Sequence, residues 1–494
     1  MILDYKALGS RIAVGAFWTV AMRISVRLLG LVSVILLARL LVPEDFGIVA
    51  KASMISSFLE MIATFGLEAA LIHNQRAVAA HYNTVWTIHV IRGALIAIAL
   101  SALALPAAEF FREPALAQIL WFYGLAAFLN GLVNVGTVDF CKNLDFDKDF
   151  RFTLYRKLAG FVVTVLIALI WRSYWAFVVG VVVSSATAVF ASFLMSPYRP
   201  RFTLEEWRSL FDFSKWIFLV GLVSSISGKL DTFILSRFSA TETVGQYTVS
   251  YELAGSASTE VAMPIARATM PGLAILNEKP AEFREMYRRT IAVLLLISMP
   301  AGLGLAAVAD QLTLVVLGDK WRAAGQLIEI LAVYGAIRAV FAVSASAFQS
   351  SGKVKLLSHL MISNLILRSI FLSAGFWYGG VVGMAWGVLF VGFIQLILYL
   401  VVQHAIGFLN LFILLRDVWR VLFGAIGMYA GLVFVLPRTG WLEDASISIA
   451  LAAQVLVGAA LYAVGVVGLW AVGGLGDGPE RTIWNYARRK HAEE

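Results

Sequence analysis

The chain has 494 residues, 60% of them apolar and 14% charged, with a mean hydropathy of +0.83. A soluble domain is about 45–50% apolar and about 25% charged, so this excess has no water-soluble core to occupy and the chain is an integral membrane protein. A single cysteine, six histidines and the absence of CxxC or HExxH spacing exclude an internal disulfide and argue against a metal centre. The net charge of +8 reads as basic residues gathered at one membrane face rather than as nucleic-acid binding.

A spanning helix takes about 20 mostly apolar residues. Fourteen such stretches follow one another, at 13–36, 46–71, 83–105, 116–139, 153–171, 174–196, 213–236, 244–275, 290–309, 323–348, 356–377, 380–403, 412–436 and 446–470. Pro264 and Pro271 predict a kinked eighth helix. With the N-terminus in the cytoplasm, 23 Lys and Arg fall at inside ends and loops, 7 outside, and 9 of the 39 within spans. That bias predicts cytoplasmic termini at both ends. The first apolar stretch is too long and too charged to be a cleavable signal. All loops are short, which leaves no room for a soluble catalytic domain. No catalytic residue, cofactor or phosphate-binding P-loop is expected, so the energy for any transport comes from a gradient or from downstream consumption of product.

An offset of 198 residues lays "LSRFSATETVG" (235–245) on "LARLLVPEDFG" (37–47), with Leu37/Leu235, Arg39/Arg237, Glu44/Glu242 and Gly47/Gly245 identical. The same offset pairs Trp18 with Trp216 and Gly30 with Gly228, and sets the seventh helix on the first. Six helices per copy is an even number, so both copies enter the membrane in the same direction and their relating axis lies along its normal. The predicted architecture is all-α, with a six-helix lobe at 1–198 and a second at 199–405. Helices 13 and 14 and a basic cytoplasmic tail fill 406–494. Substrate sites in such designs lie between lobes near the midplane.

A charge at the bilayer centre costs from ~2.5 kcal/mol on insertion scales to ~10 kcal/mol or more in simulations, so intramembrane charges usually face a bundle interior or a water-filled path. The bases within spans are Arg23, Arg27, Lys51, Arg92, Lys215, Lys229, Arg267, Arg338 and Arg368; the acids are Glu60, Glu68, Asp231, Glu252, Glu260 and Glu329. Arg23 and Arg27 are four residues apart and share a helix face. The surplus of bases suits a polyanionic head group that arginine grips bidentately, so Arg23, Arg27, Lys51, Lys229 and Arg267 are the candidate substrate-binding set. The competing reading for Arg23 and Arg27 is a lobe-stabilising bridge to Glu60 or another acid. Arg92, Lys215, Glu68 and Arg368 are expected to snorkel near interfaces, and Glu329 and Arg338 to be structural ion-pair partners or path residues. His81 and His89 read as interface packing. Tyr247, Tyr251, Trp377, Tyr378 and Trp441 are placed in an aromatic belt.

"GAFW" (15–18), "LARLLVPEDFGIVA" (37–50), "FGLEAALIHNQR" (65–76), "KNLDFDKDF" (142–150) and "LGDKWRAAGQLIEILAVYGAIRA" (317–339) resemble the polysaccharide transporter family of the multidrug/oligosaccharidyl-lipid/polysaccharide exporter superfamily, in particular its Wzx-like, colanic-acid-type flippases. The resemblance runs from about residue 10 to 410. It implies a bacterial inner-membrane flippase that carries an undecaprenyl-pyrophosphate-linked oligosaccharide by alternating access between two lobes, amid membrane lipids and alongside polysaccharide polymerase and assembly proteins. The related lipid II flippases use cationic residues on the first, second and eighth helices, where Arg23, Arg27, Lys51 and Arg267 stand here. Asp231, Glu252 and Glu260 are the carboxylates such a transporter would use for a coupling ion or proton. The rival readings are a multidrug exporter of the same superfamily, which nine buried bases disfavour, and a membrane polymerase or ligase, which the short outer loops disfavour.

Overall fold

The computed structural model describes residues 5–62, 67–73, 77–207, 215–439, 445–473 and 478–481. Among these the chain is helical throughout, with no strand, and forms two compact units, Met1–Gly245 and Gln246–Glu494. Where they are described, the fourteen apolar stretches fall mainly on helix, with a turn at 132–134 inside the fourth. Among the described residues, nine helices are long and apolar enough to cross a membrane, or ten when one bent pair counts as a span. The chain is therefore a multi-pass membrane protein.

The first unit contains α1 (Tyr5–Leu40), α2 (Pro43–Ile62), α3 (Leu67–His73), α4 (Ala79–Phe110), α5 (Ala115–Gly131), α6 (Val138–Lys142), α7 (Phe146–Trp171), α8 (Trp175–Met195) and α9 (Lys215–Phe238). Its main contacts are α4 on α5, α7 on α8, α1 on α7 and α9 on α2. In lipid there is no hydrophobic drive to bring helices together, so close approach at small residues does that work. A Cβ at Gly131 would strike the His89 carbonyl, one at Gly93 the Ala127 carbonyl, and one at Gly180 the Thr164 hydroxyl. The α5–α6 pair bends by 63°. Asn134, fully buried at the bend, accepts from Gly136 N at 2.9 Å and donates to the Tyr198 carbonyl at 2.7 Å, which satisfies the backbone that the bend exposes.

The second unit takes most of α10 (Thr241–Ile275) with α11 (Pro280–Ala307), α12 (Arg322–Ser350), α13 (Val354–Ala405), α14 (Leu411–Ala430) and α15 (Ile447–Val472). α12 is its buried centre and packs against α11 and α13. The 52 residues of α13 are long enough to cross twice, and the helix breaks at Gly379 and Gly380, where Gly380 takes φ +59°. The break falls between the eleventh and twelfth expected spans. α10 is helical from Thr241 to Ile275, with Pro264 and Pro271 inside it. Each proline deletes one backbone donor, a loss that spanning helices tolerate where neighbours satisfy the freed carbonyl.

Candidate functional site

Arg23 and Arg27 lie on a helix whose exposed apolar stripe is Phe17, Val20, Ile24, Leu28, Val32 and Leu36. The opposite side meets α7, with Gly15 against Phe146 and the Trp18 ring 5.1 Å from Phe150. At 100° per residue the two arginines fall on a third face, about a quarter turn from the exposed stripe and away from α7. Both are half-buried. They avoid the apolar stripe that suits lipid.

Lys51 is 2% exposed and has partners of its own. Its Nζ donates to Thr241 Oγ1 at 2.7 Å and lies 3.5 Å from Glu113 Oε2, while the Thr241 hydroxyl donates to the same carboxylate oxygen at 2.6 Å. The three residues come from α2, the α4–α5 turn and the start of α10. Around them the α1–α2 and α9–α10 hairpins meet backbone to backbone. A Cβ at Gly47 would strike the Thr241 carbonyl, and a Cβ at Gly245 the Pro43 carbonyl. Positions 43 and 241, and 47 and 245, are related by the 198-residue offset, so the two contacts are one contact made twice. Asp45 ties this clasp to the next turn, accepting from Val42 N at 3.2 Å and from Tyr174 N at 2.8 Å.

Of the other sequence candidates in the first unit, Asp231 is 2% exposed and accepts from Thr232 N at 2.8 Å, and Lys229 is half-buried. In the second unit Glu252 is exposed. The side chains of Glu260 and Arg267 lie outside the described residues, as does Trp441, and Lys215 is likewise not described beyond its backbone.

The second unit holds a cationic site that the residue pattern did not single out. Tyr247, Tyr251 and Tyr334 form a ladder with ring centroids 6.0 and 6.5 Å apart. Arg338 donates to Tyr251 Oη at 3.2 Å and Arg368 to Tyr334 Oη at 3.2 Å, each guanidinium also lying over the ring it bonds. Phenol oxygens and ring faces together help to hold each guanidinium in the membrane interior. Two expectations are corrected here. Arg368 is 5% exposed rather than snorkelled, and Tyr247 is 1% exposed rather than in a belt. Trp377 and Tyr378 are 85% and 90% exposed, as belt residues are. Glu329 is exposed and accepts from Tyr429, on another helix, at 3.1 Å. The legible signal was the spacing, since Tyr334 and Arg338 are one helical turn apart, as are Tyr247 and Tyr251.

Three kinds of likeness bear on this arrangement. The family described as Polysaccharide biosynthesis protein matches residues 36–326, more than half the chain. Among curated relatives, the lipopolysaccharide biosynthesis protein WzxC of Escherichia coli K12 is 24% identical over 388 residues, 78% of this chain and 79% of its own. The succinoglycan biosynthesis transport protein ExoT of Rhizobium meliloti is 26% identical over 322 residues, 64% of each chain. Among solved structures, the lipid II flippase MurJ in an inward closed conformation superposes with a TM-score of 0.73 at 14% identity, over 92% of this chain and 99% of that one. An inward-facing multidrug transporter of the MATE family follows the same fold, with a TM-score of 0.60 at 15% identity over 77% and 94%.

Proposed function

The chain belongs to the Polysaccharide biosynthesis protein family, and from that premise we propose that it is a flippase, not an enzyme, which carries a lipid-linked oligosaccharide across the inner membrane of a bacterium. Its relatives are named for lipopolysaccharide biosynthesis and for succinoglycan transport. The fold it shares is that of a lipid II flippase. Moving a glycan and its pyrophosphate through hydrocarbon is prohibitive without a polar path. The observation that carries the reading is the pair Arg23 and Arg27, set on a face of α1 that is neither the apolar stripe nor the α7 contact.

In this reading the lobes are 1–198 and 199–405, with 406–494 as added helices and tail, both termini are cytoplasmic, and the substrate is undecaprenyl-pyrophosphate-linked. Arg23, Arg27, Lys229 and Arg267 face the path and take the pyrophosphate by charge-assisted hydrogen bonds. Lys51, already engaged by Glu113 and Thr241, serves the clasp instead, holding the periplasmic end shut while the path is open to the cytoplasm. Asp231, Glu252 and Glu260 are the carboxylates for a coupling ion or proton. The polyprenyl tail stays in lipid, and a polymerase takes the glycan on the far side.

The test is reconstitution into liposomes with a short-chain, radiolabelled polyprenyl-pyrophosphate disaccharide. Translocation is read as the fraction protected from an added membrane-impermeant glycosidase. The full chain is expected to scramble or pump the lipid between leaflets, and Arg23→Gln with Arg27→Gln to abolish this without loss of protein. Equal rates in protein-free liposomes would overturn the reading.

A further inference from the structure

Within the first unit, α2, α3, α4, α5, α6 and α7 line a cavity of about 410 Å3. That is within the range of about 300–1,000 Å3 of small-molecule sites and equals the share of about a dozen waters. It is separate from the clasp and from the Tyr–Arg ladder. We propose that this cavity is a sugar subsite, which takes one or two pyranose rings of the glycan head; the inference rests on the flippase reading above.

The lining decides the ligand class. Glu60, Glu68 and Asp149 bring three carboxylates, Arg92 and Arg156 two guanidinium groups, and Asn130 an amide. An anion such as pyrophosphate meets more carboxylates than bases, and a cation meets two arginines. A neutral polyol uses both kinds, because each hydroxyl donates to a carboxylate and accepts from a guanidinium. Arg92 and Arg156 are the strongest indication. The Nε of each is buried with no hydrogen-bond partner, and neither guanidinium forms an ion pair among the described residues. The Nε atoms themselves lie out of reach of the cavity, and the terminal guanidinium N–H groups of these two lining residues are the donors that a ligand hydroxyl takes. His89, 8% exposed, lines the same space. Phe152, Ile72 and Ile96 supply the apolar wall on which the C–H face of a pyranose packs. The cavity thus divides labour with the arginines of α1: they take the anion, and the cavity takes the sugar. It also gives Glu60, Glu68 and Arg92 a shared role in place of the separate interfacial and bridging roles that their positions in sequence suggest.

The chain's single thiol, Cys141, lines this cavity and is half-buried, so it reports on occupancy. The experiment measures the rate at which a small maleimide labels Cys141 in the purified full chain. D-glucose, D-galactose, L-rhamnose, N-acetyl-D-glucosamine and D-glucuronate are tested singly, with inorganic pyrophosphate for comparison. At ten times its Kd a site ligand slows labelling about tenfold by mass action. At least one sugar is expected to protect and pyrophosphate is not. Asn130→Ala and Glu68→Gln should each abolish protection, read as the ratio of each variant's own labelling rates with and without sugar. Protection by pyrophosphate alone, or by none of the six, overturns the proposal, and the wild-type arm decides this even if a variant fails to fold. Liposome translocation by the same preparation separates the two claims. Transport without sugar protection refutes the subsite alone, and sugar protection without transport refutes the flippase reading alone.

Discussion

A methyl group at Gly47 attacks the clasp at its tightest point. Its Cβ would overlap the carbonyl oxygen, carbonyl carbon and Cγ2 of Thr241. Two of those atoms are backbone and cannot rotate away, so relief requires the α1–α2 and α9–α10 hairpins to part. Overpacking of this kind costs about 1–3 kcal/mol, which at the population level is a shift of about 5- to 150-fold toward the parted state. Gly245→Ala, against the Pro43 carbonyl, is the same lesion in the repeat-related position and should shift the equilibrium by a similar factor. The double variant should fall short of the sum, because parting the hairpins relieves both overlaps at once. The assay is pulsed electron resonance between spin labels at Val42 and Ala240, which are exposed and also related by 198 residues, in a Cys141→Ser background. The parent is expected to show one short distance, and Gly47→Ala a growing longer population. A lowered melting temperature with an unchanged distance distribution would refute the reasoning, since the strain would then be absorbed locally and the contact would not be a moving one.

Glu113→Gln should cost about 3–5 kcal/mol in unfolding of the purified protein, because it leaves Lys51 charged and 2% exposed without its counter-charge. Adding Lys51→Met should recover most of that loss, and a double variant no more stable than Glu113→Gln would contradict the pairing. Tyr334→Phe removes the acceptor for Arg368 and should cost about 1–3 kcal/mol by the same measurement, against a near-neutral Tyr378→Phe at a 90% exposed site. Gly380→Ala should destabilise the α13 break by about 1–2 kcal/mol, since φ is +59° there. Gly383→Val should do more, because the Gly375 carbonyl occupies the space its Cβ would need, and thermal unfolding ranks the two.

Helices were the most legible part of the chain, because a membrane demands long apolar runs and the runs are there. The 198-residue offset was legible as well, from Arg39/Arg237 and Gly47/Gly245. What the offset did not convey is that the repeated segments touch. A sequence alignment records equivalence, whereas the Gly47 and Gly245 contacts depend on how two hairpins dock. The partners of Lys51 are not legible in the sequence, because they lie 62 and 190 positions away, beyond any helical spacing. Arg368 was read as snorkelling for a similar reason: the phenol that holds it is 34 residues off, on α12. The cavity is hidden in the sequence because it draws on six helices whose charges, taken singly, look interfacial.

Translocation itself is tested most directly in cells that lack the gene and carry it back as wild type, as Arg23→Gln/Arg27→Gln, or not at all, with protein level checked in each. Lipid-linked oligosaccharide is quantified on each leaflet of the inner membrane by a lectin applied to spheroplasts and to inverted vesicles. The flippase account predicts cytoplasmic-leaflet accumulation without the gene, its relief by wild type, and persistence with the double arginine variant at normal protein level. An unchanged leaflet distribution in the deletion would contradict it, and full relief by the double variant would remove the two arginines from the path.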